Sequence, residues 1–121
     1  MSIKTTLKRE GIEVIYQLDK EQVQSIVQNI AHRIISAFPY FYLDEDVLVN
    51  KLYKLNMYKA KMPEGLAEAI YFYKNTSIYF NEHIENEDLE EFAIHECIHY
   101  LQEIKEGNRL IRMGLRKNWN K

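Results

Sequence analysis

Hydrophobic and polar positions follow two different periods in the first third of the chain. Every second residue from 12 to 16 is apolar, so residues 12–17 are predicted to form a short strand that begins after Gly11. Asp19 then occupies an N-cap position, with Gln22 three residues later. Beyond the cap the apolar residues recur at steps of three and four: Val23, Ile26, Val27, Ile30, Ala31, Ile34, Ile35 and Phe38. This spacing predicts a long amphipathic helix that ends before Pro39.

The middle of the chain has a second helical pattern. A helix is predicted from Asp44 or Asp46 to about residue 59. Its inner face is predicted to carry three leucines at steps of four and three: Leu48, Leu52 and Leu55. Residues 62–65, Met-Pro-Glu-Gly, then predict a turn.

The last elements are a hairpin and a helix. Two strand-like runs stand at residues 69–73 and 77–80, and the three residues between them are few enough for a hairpin. Asp88 and Glu91 match a capping box before a helix predicted over about residues 89–106. The order strand, two helices, hairpin and helix predicts an α+β fold.

Composition narrows the class of protein. Hydrophobic residues make up 46% and charged residues 28%, which is typical of a folded globular domain. A net charge of −2 favours neither nucleic acid nor an anionic membrane as a partner. The single cysteine, Cys97, fits a reducing compartment, and no apolar run has the length of a signal-peptide core or a membrane span. We therefore expect one domain over residues 1–121 in the cytoplasm, with the oligomeric state left open.

The last predicted helix contains His95-Glu96-Cys97-Ile98-His99, a match to the pattern H-E-x-x-H. Residues four apart lie one above the other on a helix, so both imidazoles can reach one ion. Zinc accepts imidazole nitrogen and leaves a position for water in catalytic sites, where Glu96 would act as general base. Cys97 is predicted to point away from these ligands as a small buried residue. The alternative is that His95 and His99 are ordinary residues of an amphipathic helix.

The motif and the hairpin before it resemble the gluzincin metallopeptidases, the zincins typified by thermolysin. The resemblance covers residues 66–107, and only the five-residue motif within it is specific. The stretch from residue 95 to residue 102 is also similar to small zincin-like proteins of Gram-positive bacteria. A zincin-like α+β fold is implied, with a small mixed or antiparallel sheet, two N-terminal helices and an active-site helix.

The resemblance also implies the roles of individual residues. It makes His95 and His99 ligands of Zn²⁺ and Glu96 the catalytic carboxylate of a peptidase acting on a peptide or protein substrate. It places four residues in an edge strand against which an extended peptide would pair: Ile70, Tyr71, Phe72 and Tyr73. The alternative is a non-catalytic zincin-like module that binds or regulates.

The third zinc ligand departs from the family pattern. In gluzincins it is a glutamate on a later helix, whereas only Glu103 and Glu106 follow His99 here, and Glu103 is expected to lie too far along the helix. Three explanations stand: a C-terminal helix beyond this chain supplies the ligand, the loop residues Glu82, His83 or Glu85 supply it, or the site is degenerate. We favour the first, because the tail after residue 108 is basic and has no acidic partner.

Overall fold

A computed structural model of the chain describes residues 10–37 and 44–104. Within these ranges the elements follow in the order β1 (Glu13–Gln17), α1 (Lys20–Ala37), α2 (Glu45–Leu52), β2 (Asn56–Lys61), β3 (Ala69–Phe72), β4 (Ser77–Asn81) and α3 (Leu89–Glu103). The fold is therefore α+β, as the sequence pattern predicts. The expected helix stop at Pro39 and the basic tail lie outside the described residues. The last helix ends at Glu103, three residues before its predicted end near residue 106, and Ile104 is already extended. No helix in the described ranges is long and apolar enough to cross a membrane.

The four strands form one mixed sheet in the order β1-β2-β4-β3. β2 pairs antiparallel with β1 and parallel with β4, and β3 pairs antiparallel with β4. β1 and β3 are consequently the two edges of the described sheet. The predicted hairpin is confirmed, and its connection is a 3₁₀ turn, Tyr73–Asn75, followed by Thr76 at a left-handed φ of 52°.

Alternation along the strands separates the two faces of the sheet. Met57, Ile78 and Phe80 point towards the helices, where they join the main core with apolar residues of α1 and α3. Each such side chain contributes roughly 1.5–3 kcal/mol by leaving water. The other face carries a smaller cluster around Tyr79, whose ring stacks on Tyr58 with centroids 5.0 Å apart.

The prediction for α1 is confirmed at its start and along its buried face. The Asp19 side chain accepts a hydrogen bond from the Gln22 backbone N–H at 2.8 Å, which is the capping contact that the sequence pattern predicts. Such a cap stabilises a helix by about 1 kcal/mol. Six of the predicted apolar positions are buried: Val23, Ile26, Val27, Ile30, Ala31 and Ile34.

The predicted extent of the second helix is wrong. Helix α2 ends at Leu52, and the chain tightens into a turn in which Leu55 N–H donates to the Leu52 carbonyl at 3.0 Å. The residues expected to continue the helix form β2 instead, paired on both sides. A central strand satisfies its backbone on two neighbours, and this tertiary gain outweighs the weak local preference for helix. The three leucines nevertheless face inward as predicted, since Leu48, Leu52 and Leu55 are all fully buried.

The strand predicted after Gly11 is confirmed as β1, Glu13–Gln17. All five residues of the strand are exposed, although the strand itself forms where it is predicted. The register with β2 shifts between Val14 and Tyr16, so the strand carries a β-bulge there. A bulge interrupts the strict two-residue alternation of side chains at this point.

Helix α3 is anchored by side chains other than the predicted capping box. Asp88 stands at the N-cap but makes no side-chain capping bond, because it ends a 3₁₀ turn, Asn86–Asp88. Arg33 of α1 instead bridges Glu90 and Glu91 at 3.0 and 2.9 Å. Nearer the other end of the helix, the Tyr100 hydroxyl donates to the Lys51 carbonyl at 3.2 Å. These contacts hold α3 against the two N-terminal helices and set its rotation relative to the sheet.

Candidate metal centre

One side of α3 packs in the main core, and the other side carries the two histidines. Ile94, Ile98 and Leu101 are buried in the main core, and Cys97 is buried among them as predicted. Burial raises the pKa of the Cys97 thiol, which therefore stays protonated and is a poor metal ligand. His95 and His99 are only partly buried and occupy the other side of the helix.

The two imidazoles converge on one point. Nε2 of His95 and Nε2 of His99 are 3.0 Å apart, and the ring centroids are 4.6 Å apart with the planes at 80°. Two nitrogens bound to one tetrahedral zinc at about 2.05 Å would be separated by about 3.3 Å. The spacing therefore suits a shared ion with little side-chain movement.

Glu96 completes a group of three donors with the two histidines. Ligand atoms of His95, Glu96 and His99 all lie within 4.8 Å of one another. The distance from His95 Nε2 to Glu96 Oε2 is 3.8 Å. Two imidazole nitrogens and a carboxylate oxygen form a donor set that zinc accepts, so the residues present fit this metal.

Glu96 is buried, unlike the two histidines on either side of it, which are only partly buried. Only 8% of the surface of Glu96 is exposed to solvent. Burial raises the pKa of the Glu96 carboxyl to about 7, while a hydrogen bond from the Tyr71 backbone N–H acts in the opposite direction. Glu96 is thus held by the sheet as well as by its own helix, and its carboxyl titrates near neutral pH in the metal-free protein.

The strand that supplies this hydrogen bond is the predicted edge strand. Ile70, Tyr71 and Phe72 lie in β3, whereas Tyr73 is outside it, begins the 3₁₀ turn and is 62% exposed. The inclusion of Tyr73 in the strand is therefore wrong. The reason is local: the left-handed Thr76 closes the hairpin with a turn that starts one residue earlier than the apolar run suggests.

The outer edge of β3 faces the candidate site. Asn81 N–H donates to the Glu68 carbonyl at 2.8 Å, and Ile70 pairs with Tyr79, so these alternate residues turn their backbone groups towards β4. By the same alternation the backbone groups of Ala69 and Tyr71 point to the outer edge. Glu96 binds the Tyr71 N–H there, which places its carboxylate beside the edge where another strand would pair.

A cleft of about 370 Å³ lies between β3 and α3 at this edge. The described residues that line it are Ala69, Ile70, Tyr71, Glu96, His99 and Glu103. The Tyr71 hydroxyl donates to Glu103 Oε2 at 3.1 Å, and burial together with this carboxylate raises the pKa of the Tyr71 hydroxyl. Glu103 is not in the group of donors around His95 and His99, in agreement with its expected distance along the helix.

The loop residues considered as third ligand do not join the site. Neither His83 nor the neighbouring Glu82 and Glu85 belongs to a group of three donors in the part of the chain that the structure describes. His83 Nε2 instead lies 2.6 Å from Glu68 Oε2, on an exposed surface. The expectation that a C-terminal helix beyond this chain supplies the ligand stays a prediction.

Two features of the site were missed by sequence reasoning. Tyr71 was predicted only as part of an edge strand, yet its backbone binds Glu96 and its side chain binds Glu103. Glu103 was considered only as a ligand, although its position four residues after His99 already puts it on the same helical face. That spacing was the available signal for Glu103, whereas nothing local indicates the contacts of Tyr71.

Comparisons of the chain with family models, curated proteins and solved structures found no match. The case for a metal centre consequently depends on the identity, convergence and burial of His95, Glu96 and His99.

Proposed function

We propose that the chain is a zinc-dependent metallopeptidase domain of zincin-like type, in which His95 and His99 hold the metal and Glu96 is the catalytic carboxylate. The observation that carries the proposal is the convergence of the two Nε2 atoms, 3.0 Å apart, beside a buried carboxyl. A buried carboxyl next to two imidazoles is a costly arrangement for stability alone, since burial disfavours its charged form.

Zinc, when bound, supplies a Lewis acid that polarises a carbonyl and lowers the pKa of water to about 7. Glu96 contributes the proton transfers: its carboxylate takes a proton from the attacking water and returns it to the leaving amine. The Tyr71 N–H orients the carboxylate through the hydrogen bond already described.

The substrate in this proposal is an extended segment of a peptide or protein. It adds to the outer edge of β3 as a further antiparallel or parallel strand, and hydrogen-bonds the backbone of Ala69 and the carbonyl of Tyr71, since the Tyr71 N–H is bound to Glu96. This position brings its main chain alongside Glu96 and His99, which line the same cleft. Ile70 and Phe72 support the strand from the other face of the sheet, where they pack against the Tyr79 cluster.

A second candidate is a non-catalytic zincin-like module that binds zinc for stability or regulation. The specific observation in its favour is that the only third donor within reach, among residues 10–37 and 44–104, is Glu96 itself. If the carboxylate of Glu96 occupies a ligand position, it is no longer available as a general base. The two candidates therefore differ in what Glu96 does.

Hydrolysis of internally quenched peptides distinguishes the candidates. Untagged protein is stripped with a chelator, reloaded with zinc and assayed, and the activity should disappear with the chelator and return with zinc. Glu96→Gln should lower kcat/KM by about 10²–10⁴-fold while zinc content is kept, because only proton transfer is lost. Glu85→Gln removes an equally charged but exposed carboxylate before α3 and should leave activity unchanged.

Equal hydrolysis by wild type and Glu96→Gln would refute the peptidase proposal. Zinc binding without hydrolysis, with a large loss of zinc affinity in Glu96→Gln, would favour the non-catalytic module.

A further inference from the structure

We infer that the cleft between β3 and α3 selects a basic side chain, lysine or arginine, in an extended peptide, and that the Glu103 carboxylate recognises it. This names the substrate class of the proposed peptidase and rests on the proposed function for cleavage, although the recognition itself is a binding property.

The charge of the cleft supports a cationic occupant. Among the residues that the structure describes, its lining holds two carboxyl groups, Glu96 and Glu103, and no lysine or arginine. Glu96 is engaged with the Tyr71 N–H and belongs to the group around the histidines. Glu103 is exposed and lies about one turn beyond His99 on α3. Its charge is therefore available to a ligand in the cleft.

Tyr71 prepares Glu103 for this role. Its hydroxyl donates to Oε2 of Glu103 at 3.1 Å, which leaves Oε1 and the remaining lone pairs for a second donor. The tyrosine is itself held by an edge-to-face contact with Tyr100, with centroids 6.1 Å apart. A carboxylate held in this way loses less side-chain freedom when it binds an ammonium or guanidinium group. The Tyr71 ring also offers an apolar surface for the methylene stem and a π face for the charge.

The spacing along α3 agrees with the spacing of an extended peptide. Glu103 lies about 6 Å beyond His99 on the helix axis, since four residues each rise 1.5 Å. An extended peptide advances about 3.4 Å per residue and returns a side chain to the same face every second residue. A peptide residue that faces His99 is therefore followed two positions on by a residue that faces Glu103. The basic residue is expected within about two positions of the one that is cleaved.

The test uses eight-residue alanine and valine peptides in which one of the four central positions carries Lys, Gln or Glu. Affinity is measured by fluorescence anisotropy with metal-free wild type, and kcat/KM is measured with zinc-loaded protein. At the best position wild type should prefer Lys to Gln by about three- to fivefold and Lys to Glu by more, with the preference shrinking as salt rises.

Three variants separate recognition from folding. Glu103→Gln should bring the Lys-to-Gln ratio to about one, and Glu103→Lys should reverse the preference towards the Glu peptide. Glu13→Gln is the matched control, because Glu13 is an exposed glutamate on β1, the edge of the sheet opposite β3. The two edge strands, β1 and β3, are about 14 Å apart across three strand spacings. It should keep the wild-type ratio.

The outcomes distinguish this inference from the proposed function. A preference for lysine that is lost in Glu103→Gln supports the inference, even if no peptide is cleaved. The lack of cleavage would refute only the proposed peptidase function. Glu96-dependent cleavage with no preference for Lys, or with a preference that survives in Glu103→Gln, overturns the inference and leaves the peptidase standing. An unchanged preference in Glu103→Lys overturns it as well.

Discussion

The group of His95, Glu96 and His99 contrasts with the exposed pair of His83 and Glu68, where a histidine also lies beside a glutamate. In the group of His95, Glu96 and His99 the two imidazole nitrogens converge at 3.0 Å, and the carboxyl is buried. In the pair of His83 and Glu68 the contact is shorter, 2.6 Å, but the side chains are 62% and 48% exposed. A short distance alone therefore does not indicate a functional site. Charges have a large effect on binding or stability where several donors converge and are removed from water, because exposed pairs are screened.

The largest expected difference between these settings is in zinc affinity. His95→Ala and His99→Ala should each weaken zinc binding by at least about 100-fold, because each removes one of two converging nitrogens. His83→Ala should leave zinc affinity unchanged. Isothermal titration of the metal-free proteins measures this directly, and zinc at 100 times Kd should stabilise wild type by about 2.7 kcal/mol in a melting experiment. Equal zinc content in wild type and in a protein lacking both His95 and His99 would remove the basis of the comparison.

An intermediate effect is expected on the stability of the metal-free protein as a function of pH. The pKa of the Glu96 carboxyl is raised from 4.5 to about 7, so between these values the folded state binds more protons than the unfolded state. The stability that this group contributes is fully present below about pH 4.5 and is lost as the pH rises through about 7. The loss amounts to about 3 kcal/mol.

Glu96→Gln tests this by keeping an acceptor for the Tyr71 N–H while removing the titration. Relative to wild type, the variant should lose the fall in stability between pH 5 and pH 8, and it should be the more stable protein at pH 8. Urea unfolding in the presence of a chelator measures both, with Glu85→Gln as a control that keeps the wild-type slope. A variant that follows the same pH dependence as wild type would show that another group is responsible.

The smallest effect is expected at the exposed pair. Glu68→Gln should change the free energy of unfolding at pH 7 by less than about 0.5 kcal/mol, because both partners are largely in solvent. The change should diminish further at 1 M salt, where exposed charges are screened within about 3 Å. Urea unfolding at low and high salt provides the measurement. A loss above 1 kcal/mol would mean that exposure does not separate the two settings.

Local patterns predicted the elements whose stability is local. The N-cap at Asp19 and the apolar face of α1 are formed as expected, since both depend on contacts within one or two turns. The β3–β4 hairpin is correct for a similar reason, because its strands are joined by a short turn. The failed elements depend on distant partners. β2 becomes a strand because β1 and β4 flank it. The capping box does not form because Asp88 ends a 3₁₀ turn, and Glu91 pairs with Arg33 of another helix.

The sequence by itself determined that His95 and His99 share one side of a helix, because residues four apart lie on the same face of any α-helix. It also determined that Cys97 belongs to the buried face, through the apolar residues spaced around it. Only the tertiary structure decided the burial of Glu96 and its hydrogen bond to the Tyr71 backbone. The contact between Tyr71 and Glu103, 32 residues apart, was decided in the same way. These properties arise from the packing of α3 against β3, which no periodicity within a single element specifies.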